Sequence, residues 1–223
     1  MKEVLRYFGE ANGLEERIKR AKPNLKDFIV LSNCMDNAVY FEDIDKDDFY
    51  DVCELLEEGL YSVKDISLEQ TLVNFLINNG IRIATAESCT GGMVASSIIN
   101  VSGASQVFFE GLITYSNLSK ENRLGVKKDT IMEFGAVSEE TAKEMSYGLL
   151  CDNVDVAVST TGIAGPNGGT DEKPVGLVYI GIAMAESEPI AIKNYFSGTR
   201  EQIRKSAKNA ALFYTWQQLN KNL

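Results

Sequence analysis

The stretch "ATAESCTGG", Ala84 to Gly92, sets an acid, a hydroxyl, a thiol and a second hydroxyl in a row between an apolar run and two glycines. If the apolar run is a buried strand and the glycines open a helix, Ser88, Cys89 and Thr90 lie beside unpaired N–H groups and the positive end of the helix dipole. A turn of that kind stabilises an oxyanion or binds a phosphate. The same pattern also reads as a plain helix start, with Ser88 or Thr90 as the cap. On the pattern alone the two readings stand level.

A second stretch with chemical content is "STTGIAGPNGG", Ser159 to Gly169. Its glycines, among them Gly162 and Gly165, and its Pro166-Asn167 pair make a long loop whose exposed N–H groups suit an anion. The G-K-[ST] ending of a Walker A loop is missing. Tyr115, Ser116 and Lys120 in "TYSNLSK" fall where a strand gives way to a helix. With Ser116 as cap, Lys120 lies one turn inside and can point back at the strand end. Arg200 in "FSGTR" opens the last helix after Gly198, a good place for a phosphate clamp. Taken singly, Lys120 and Arg200 read first as surface cations.

The chain contains no histidine. Ser-His-Asp and Cys-His catalysis are therefore closed within it, as are imidazole zinc sites. A general base near neutral pH must be a carboxylate, a desolvated lysine, a tyrosine or a cysteine. Cys34, Cys53, Cys89 and Cys151 lack C-x-x-C spacing and suggest neither a metal nor a disulfide framework. The net charge of −10 argues against non-specific binding to nucleic acid or anionic membrane. No apolar run is long enough to span a bilayer and the opening "MKEVLRYFGEANG" lacks a signal-peptide core, so a cytoplasmic protein is expected.

These residues need a scaffold, and the pattern supplies one. The 223 residues suggest one main domain and a minor one, dividing near Ile66 into 1–66 and 67–223. The acid-rich stretch 42–58 reads as a short amphipathic helix burying Phe49, Val52, Cys53, Leu55 and Leu56. Ser67 and Gln70 form a capping box for a helix that stops at Gly80. Strands follow at "IRIATA", "GLITY", "VDVAVST", "GLVYIGIAMA" and "IAIKNYF", with helices at "GGMVASSIIN", "KENRLGV", "KKDTIMEF", "SEETAKEMSYGLL" and 199–219. The alternation predicts an α/β fold, and the late successive strands predict an antiparallel pair in its sheet.

Taken together, "ATAESCTGG", "GLITYSN", "GAVSEETAKEM", "TTGIAGPNGGTDEKPVG" and "FSGTR" closely resemble, in order and spacing, the CinA C-terminal domain family of nicotinamide-nucleotide amidases, from about Ser67 on. That resemblance implies a three-layer α/β/α sandwich with a mixed sheet, preceded here by a small α+β segment. It implies hydrolysis of the carboxamide of nicotinamide mononucleotide to nicotinate mononucleotide and ammonia, with no metal and no cofactor. The family's serine nucleophile falls on Ser88, its assisting tyrosine and lysine on Tyr115 and Lys120, and its further site residues on Thr161 and Arg200. "RYFGEANGLEERI" and "GLYSVKDISLEQTLV" are similar to the small KH-like region that precedes this domain in full-length CinA proteins. They lack a G-x-x-G loop and are acidic, so no nucleic-acid binding is expected. The resemblance does not extend to the pyrophosphatase-like domain of those proteins.

An amide is a poor electrophile and needs an activated nucleophile, an oxyanion hole and a proton for the departing ammonia. Desolvation can make Lys120 the base, and Tyr115 can relay the proton. Backbone N–H groups over Cys89, Thr90, Gly91 and Gly92 are expected to face the oxyanion. Gly162, Gly165 and Arg200 are expected to hold the ribose phosphate. A binding or regulatory module without efficient turnover is the alternative, and an amidase for a related amide is a third reading. Association, as a dimer, is also expected from the resemblance.

Overall fold

The computed structural model describes residues 2–25 and 27–222. It divides into two compact units, one reaching to Thr71 and the other running from Leu72 on.

In the first unit β1 (Glu3–Phe8), α1 (Leu14–Ala21), β2 (Phe28–Asn33), β3 (Asp36–Phe41), α2 (Lys46–Leu55) and β4 (Leu60–Ser62) follow one another. The sheet order is β2-β3-β1-β4 with every neighbouring pair antiparallel. This β-α-β-β-α-β arrangement is a split βαβ of ferredoxin-like type. In it the β2–β3 hairpin separates the two helices. Leu5, Leu14, Ile18, Val39, Phe41, Val52 and Leu56 form the core. The acid-rich stretch is the amphipathic helix expected of it: Asp45 caps α2 by accepting from the Asp48 N–H at 2.8 Å, and Val52 faces inward.

The second unit contains α3 (Leu68–Asn79, in which the division falls), β5 (Ile83–Glu87), α4 (Met93–Ile99), a 3₁₀ turn (Ala104–Gln106) and β6 (Phe108–Ile113). Then come α5 (Asn117–Leu124), α6 (Lys128–Phe134), α7 (Glu139–Tyr147), β7 (Val156–Gly162), β8 (Leu177–Met184), β9 (Ile190–Tyr195) and α8 (Arg200–Asn222). The sheet runs β6-β5-β7-β8-β9, parallel among the first three strands and antiparallel over the last two pairs. Helix α7, with α5 and α6 against it, covers one face; α8 and α4 cover the other. The result is a three-layer α/β/α sandwich with a mixed sheet. Strands β5 and β7, covered on both faces, are apolar or buried along nearly their whole length, as central parallel strands must be.

Strand β6 begins earlier than the expected 111–115 and stops short of Thr114. Ser116 already caps α5, accepting from the Ser119 N–H at 3.1 Å, so Thr114 and Tyr115 belong to the turn. The connection leaving β5 enters α4 on one face, while that leaving neighbouring β6 enters α5 and α7 on the other. Adjacent strands whose connections part in this way open a crevice at their carboxyl ends. Among the described residues no helix is long and apolar enough to cross a membrane.

Close approach of α7 to the sheet depends on Gly181. A Cβ there would lie 2.2 Å from the Ala142 carbonyl oxygen and 2.5 Å from Ser159 Oγ, which itself donates to that carbonyl at 2.6 Å. Gly181→Ala must therefore push helix from sheet, a strain of about 1–3 kcal/mol. Thermal unfolding should show a midpoint lower by roughly 2–12 °C; an unchanged midpoint would mean the layers are not in rigid contact there.

Candidate active site

The carboxyl ends of the three parallel strands are stitched together around Ser88. Its N–H donates to the Thr160 carbonyl at 2.9 Å, and the Thr114 N–H donates to the Glu87 carbonyl at 2.9 Å. Helix α4 has no side-chain cap at its first position, where Gly92 stands at φ 93°. The missing cap comes from Glu87, which is 1% exposed. Its Oε2 accepts from the N–H groups of Gly92 (2.9 Å) and Val94 (3.1 Å) and from the Thr90 hydroxyl (2.6 Å). Its Oε1 accepts from the Ala95 N–H at 2.8 Å. A carboxylate facing a helix start satisfies several orphan donors at once and gains from the dipole. Thr90 is locked behind the turn by a further bond to the Thr160 hydroxyl at 2.7 Å.

Opposite this turn stands Lys120. It is only 1% exposed, and it enters from α5, whose start is fixed by the Ser116 cap. Its Nζ lies 2.8 Å from the Thr114 carbonyl oxygen, 3.4 Å from the Tyr115 carbonyl oxygen and 3.1 Å from Ser88 Oγ. Burial penalises the ammonium and pushes it down from 10.5 to about 8. The geometry suits both protonation states. As an ammonium, its three N–H groups meet three acceptors; as an amine, two carbonyls hold two N–H groups and the lone pair is left for the Ser88 hydroxyl proton. Cys89 beside it is 6% exposed, and burial pushes its thiol up to about 11, so the thiolate is scarce at neutral pH.

Residues 65–219 match the CinA C-terminal domain. The chain belongs to the CinA C-terminal domain family. A CinA-like protein of Kosmotoga olearia is 53% identical over 160 residues, 71% of this chain and 39% of that protein. The chain thus spans about two fifths of the length of the curated relatives it matches, 39% and 37% for the first two. Among solved structures, competence/damage inducible protein CihA of Agrobacterium tumefaciens is similar, with TM-score 0.64, 37% identity and coverage of 70% of this chain and 97% of that one. The competence damage-inducible protein A of Klebsiella pneumoniae gives TM-score 0.66 and 32% identity over 69% of this chain and 95% of its own.

Within this CinA domain the expected site residues fall into two groups and a remainder. Ser88 and Lys120 meet directly. Arg200, Gly165 and Tyr115 form the second group: Arg200 donates to the Gly165 carbonyl at 2.7 Å and lies 3.4 Å from the Tyr115 hydroxyl. Tyr115 is 63% exposed, and no hydrogen bond joins its hydroxyl to Ser88 or Lys120, in contrast to the expected proton relay. What Tyr115 offers Lys120 is its backbone carbonyl. The Thr161 hydroxyl is buried and donates to the Ala136 carbonyl at 2.6 Å. Gly162 packs against β8, where a Cβ would meet Val178 Cγ2 at 2.6 Å. The Gly92 N–H, expected to face the oxyanion, is occupied by Glu87 instead, and the Thr90 side chain is likewise consumed.

Neither Glu87 nor Arg204 was singled out in the sequence. Arg204 donates to the carbonyls of Cys89 (Nε, 3.0 Å) and Thr90 (Nη2, 2.8 Å). A signal for it existed: Arg204 stands four residues after Arg200 on the same helix, hence on the same face. For Glu87→Gln we expect about 1–3 kcal/mol of lost stability, because one acceptor becomes an NH₂ aimed at backbone N–H groups. A urea midpoint equal to that of the unaltered protein would show that Glu87 is not the cap of α4.

Proposed function

We propose that this chain hydrolyses the carboxamide of nicotinamide mononucleotide to nicotinate mononucleotide and ammonia, with Ser88 as nucleophile and Lys120 as its base. The observation that carries the proposal is the 3.1 Å approach of Lys120 Nζ to Ser88 Oγ by a lysine that burial holds near 8. In a chain without histidine this is the pair able to activate a hydroxyl near neutral pH. Family membership supports the substrate class.

In the first step Ser88 Oγ attacks the carboxamide carbon, its proton passes to Lys120 Nζ, and the carbonyl oxygen becomes an oxyanion. Collapse breaks the C–N bond, and Lys120 returns the proton to the departing nitrogen, which leaves as ammonia. Water then attacks the acyl-serine and yields a proton to Lys120. Collapse of that second adduct frees the carboxylic acid and restores the Ser88 hydroxyl with the proton from Lys120. Arg200, exposed and held by Gly165, meets the nucleotide phosphate, and Tyr115 lies beside it. The reaction needs neither metal nor cofactor. The chemistry resides in the segment from Ser67 on, whereas 1–66 supplies none of these groups. A cytoplasmic dimer that binds no nucleic acid completes the proposal.

Ser88→Ala should abolish ammonia release from nicotinamide mononucleotide, while Cys89→Ala should keep much of it; the reverse result would move the nucleophile to the thiol. Since the neutral amine is the working form, kcat/KM should rise with pH and level off above about 8. Below that it should fall about tenfold per pH unit. A flat profile between pH 6 and about 9 would remove Lys120 from the role of base. Nucleotide binding without turnover would instead favour a regulatory module.

A further inference from the structure

We propose that Arg204 is a positioning residue that builds the oxyanion hole: by gripping the carbonyls of Cys89 and Thr90 it turns the N–H groups of Thr90 and Gly91 toward the oxyanion formed at Ser88. The proposal rests on the reading of Ser88 as an acyl-transfer nucleophile.

A planar trans peptide points its C=O and the following N–H in opposite directions. The peptides of this turn are trans; among the described residues the cis bond is Gly165–Pro166. With the Cys89 and Thr90 carbonyls fixed on Arg204 at 3.0 and 2.8 Å, the Thr90 and Gly91 N–H groups must both face away from the guanidinium. Neither makes a hydrogen bond to any other described residue. The donors at the start of α4 are not the site, because Gly92, Val94 and Ala95 are committed to Glu87. Two parallel, unspent donors two and three residues after the nucleophile are what an oxyanion hole requires.

The guanidinium fits this task in two ways. Its rigid fork spans two successive carbonyls, which the single point charge of a lysine does not. Its charge also polarises both peptides, strengthening the N–H donors on their far side. Arg204 forms no ion pair within 4 Å among the described residues, and the hydrogen bonds of its guanidinium go to the turn. Gly91, at φ 60°, admits this contact because a Cβ there would already lie 3.2 Å from Arg204 Nη2.

The test uses a fluorophosphonate, whose P=O oxygen takes the oxyanion position. Ser88 Oγ attacks phosphorus, the P–F bond breaks, fluoride leaves and the hydroxyl proton passes to Lys120. Labelling rates of the full chain and of its Arg204→Met and Arg204→Lys variants are compared, with thermal midpoints alongside and Ser88→Ala as the control for the labelled residue. Both Arg204 variants should label about 10²-fold more slowly, the loss expected for oxyanion donors, with the acid limb of the labelling profile unmoved because Lys120 is untouched. Labelling at the unaltered rate by either folded variant would overturn the proposal. So would failure of both variants to fold, which would leave Arg204 as a tether of α8, and so would a full chain whose Ser88 does not label at all. If Ser88 labels and the Arg204 variants slow it while nicotinamide mononucleotide is not hydrolysed, the proposal stands and the substrate reading falls.

Discussion

A lysine ammonium withdrawn from water is the constraint around which the second unit is arranged. Lys120 is 1% exposed, and the cost of charging it there is what brings it near 8. That cost is borne by the fold, since a well-packed apolar side chain in the same place would carry no desolvation penalty. A destabilising group is kept where its chemistry needs it, the usual trade between stability and reactivity. The carbonyls of Thr114 and Tyr115 set its position, and they can do so because the chain leaves β6 at Ile113 and turns at once into the Ser116 cap.

Two further charged side chains organise the opposite wall without needing to touch a reacting atom. Glu87 sits at the end of β5 and ties the first N–H groups of α4, while Arg204 reaches over from α8 and holds the carbonyls of the same turn. One neutralises donors and the other neutralises acceptors. Between them, the backbone from Ser88 to Gly92 is over-determined, as a preorganised turn must be. The crevice exists because β5 and β6 send their connections to opposite faces of the sheet.

Local signals in the chain were legible. The caps at Ser67 and Ser116 are both made, at 3.3 and 3.1 Å, because hydroxyl capping depends only on residues three positions away. The buried runs of β5 and β7 were readable for a similar reason. Strand order was not, since pairing partners are far apart in sequence. The site shows the same division. Ser88, Lys120 and Arg200 were found through motif resemblance, but the partner of the Tyr115 hydroxyl proved to be Arg200, a contact across 85 residues that spacing does not encode. The roles of Glu87 and Arg204 depend on which backbone groups are left over after the turn forms, and that is a property of the folded chain.

Burial rather than a neighbouring charge brings the Lys120 amine near 8, within range of the base role proposed for it. A direct titration of that amine is the sharpest test: NMR of protein carrying ¹³C-labelled lysine, with the Lys120 signal assigned by its loss in Lys120→Met. The Lys120 signal should titrate near 8. A Lys120 signal that titrates at its ordinary 10.5 would contradict it.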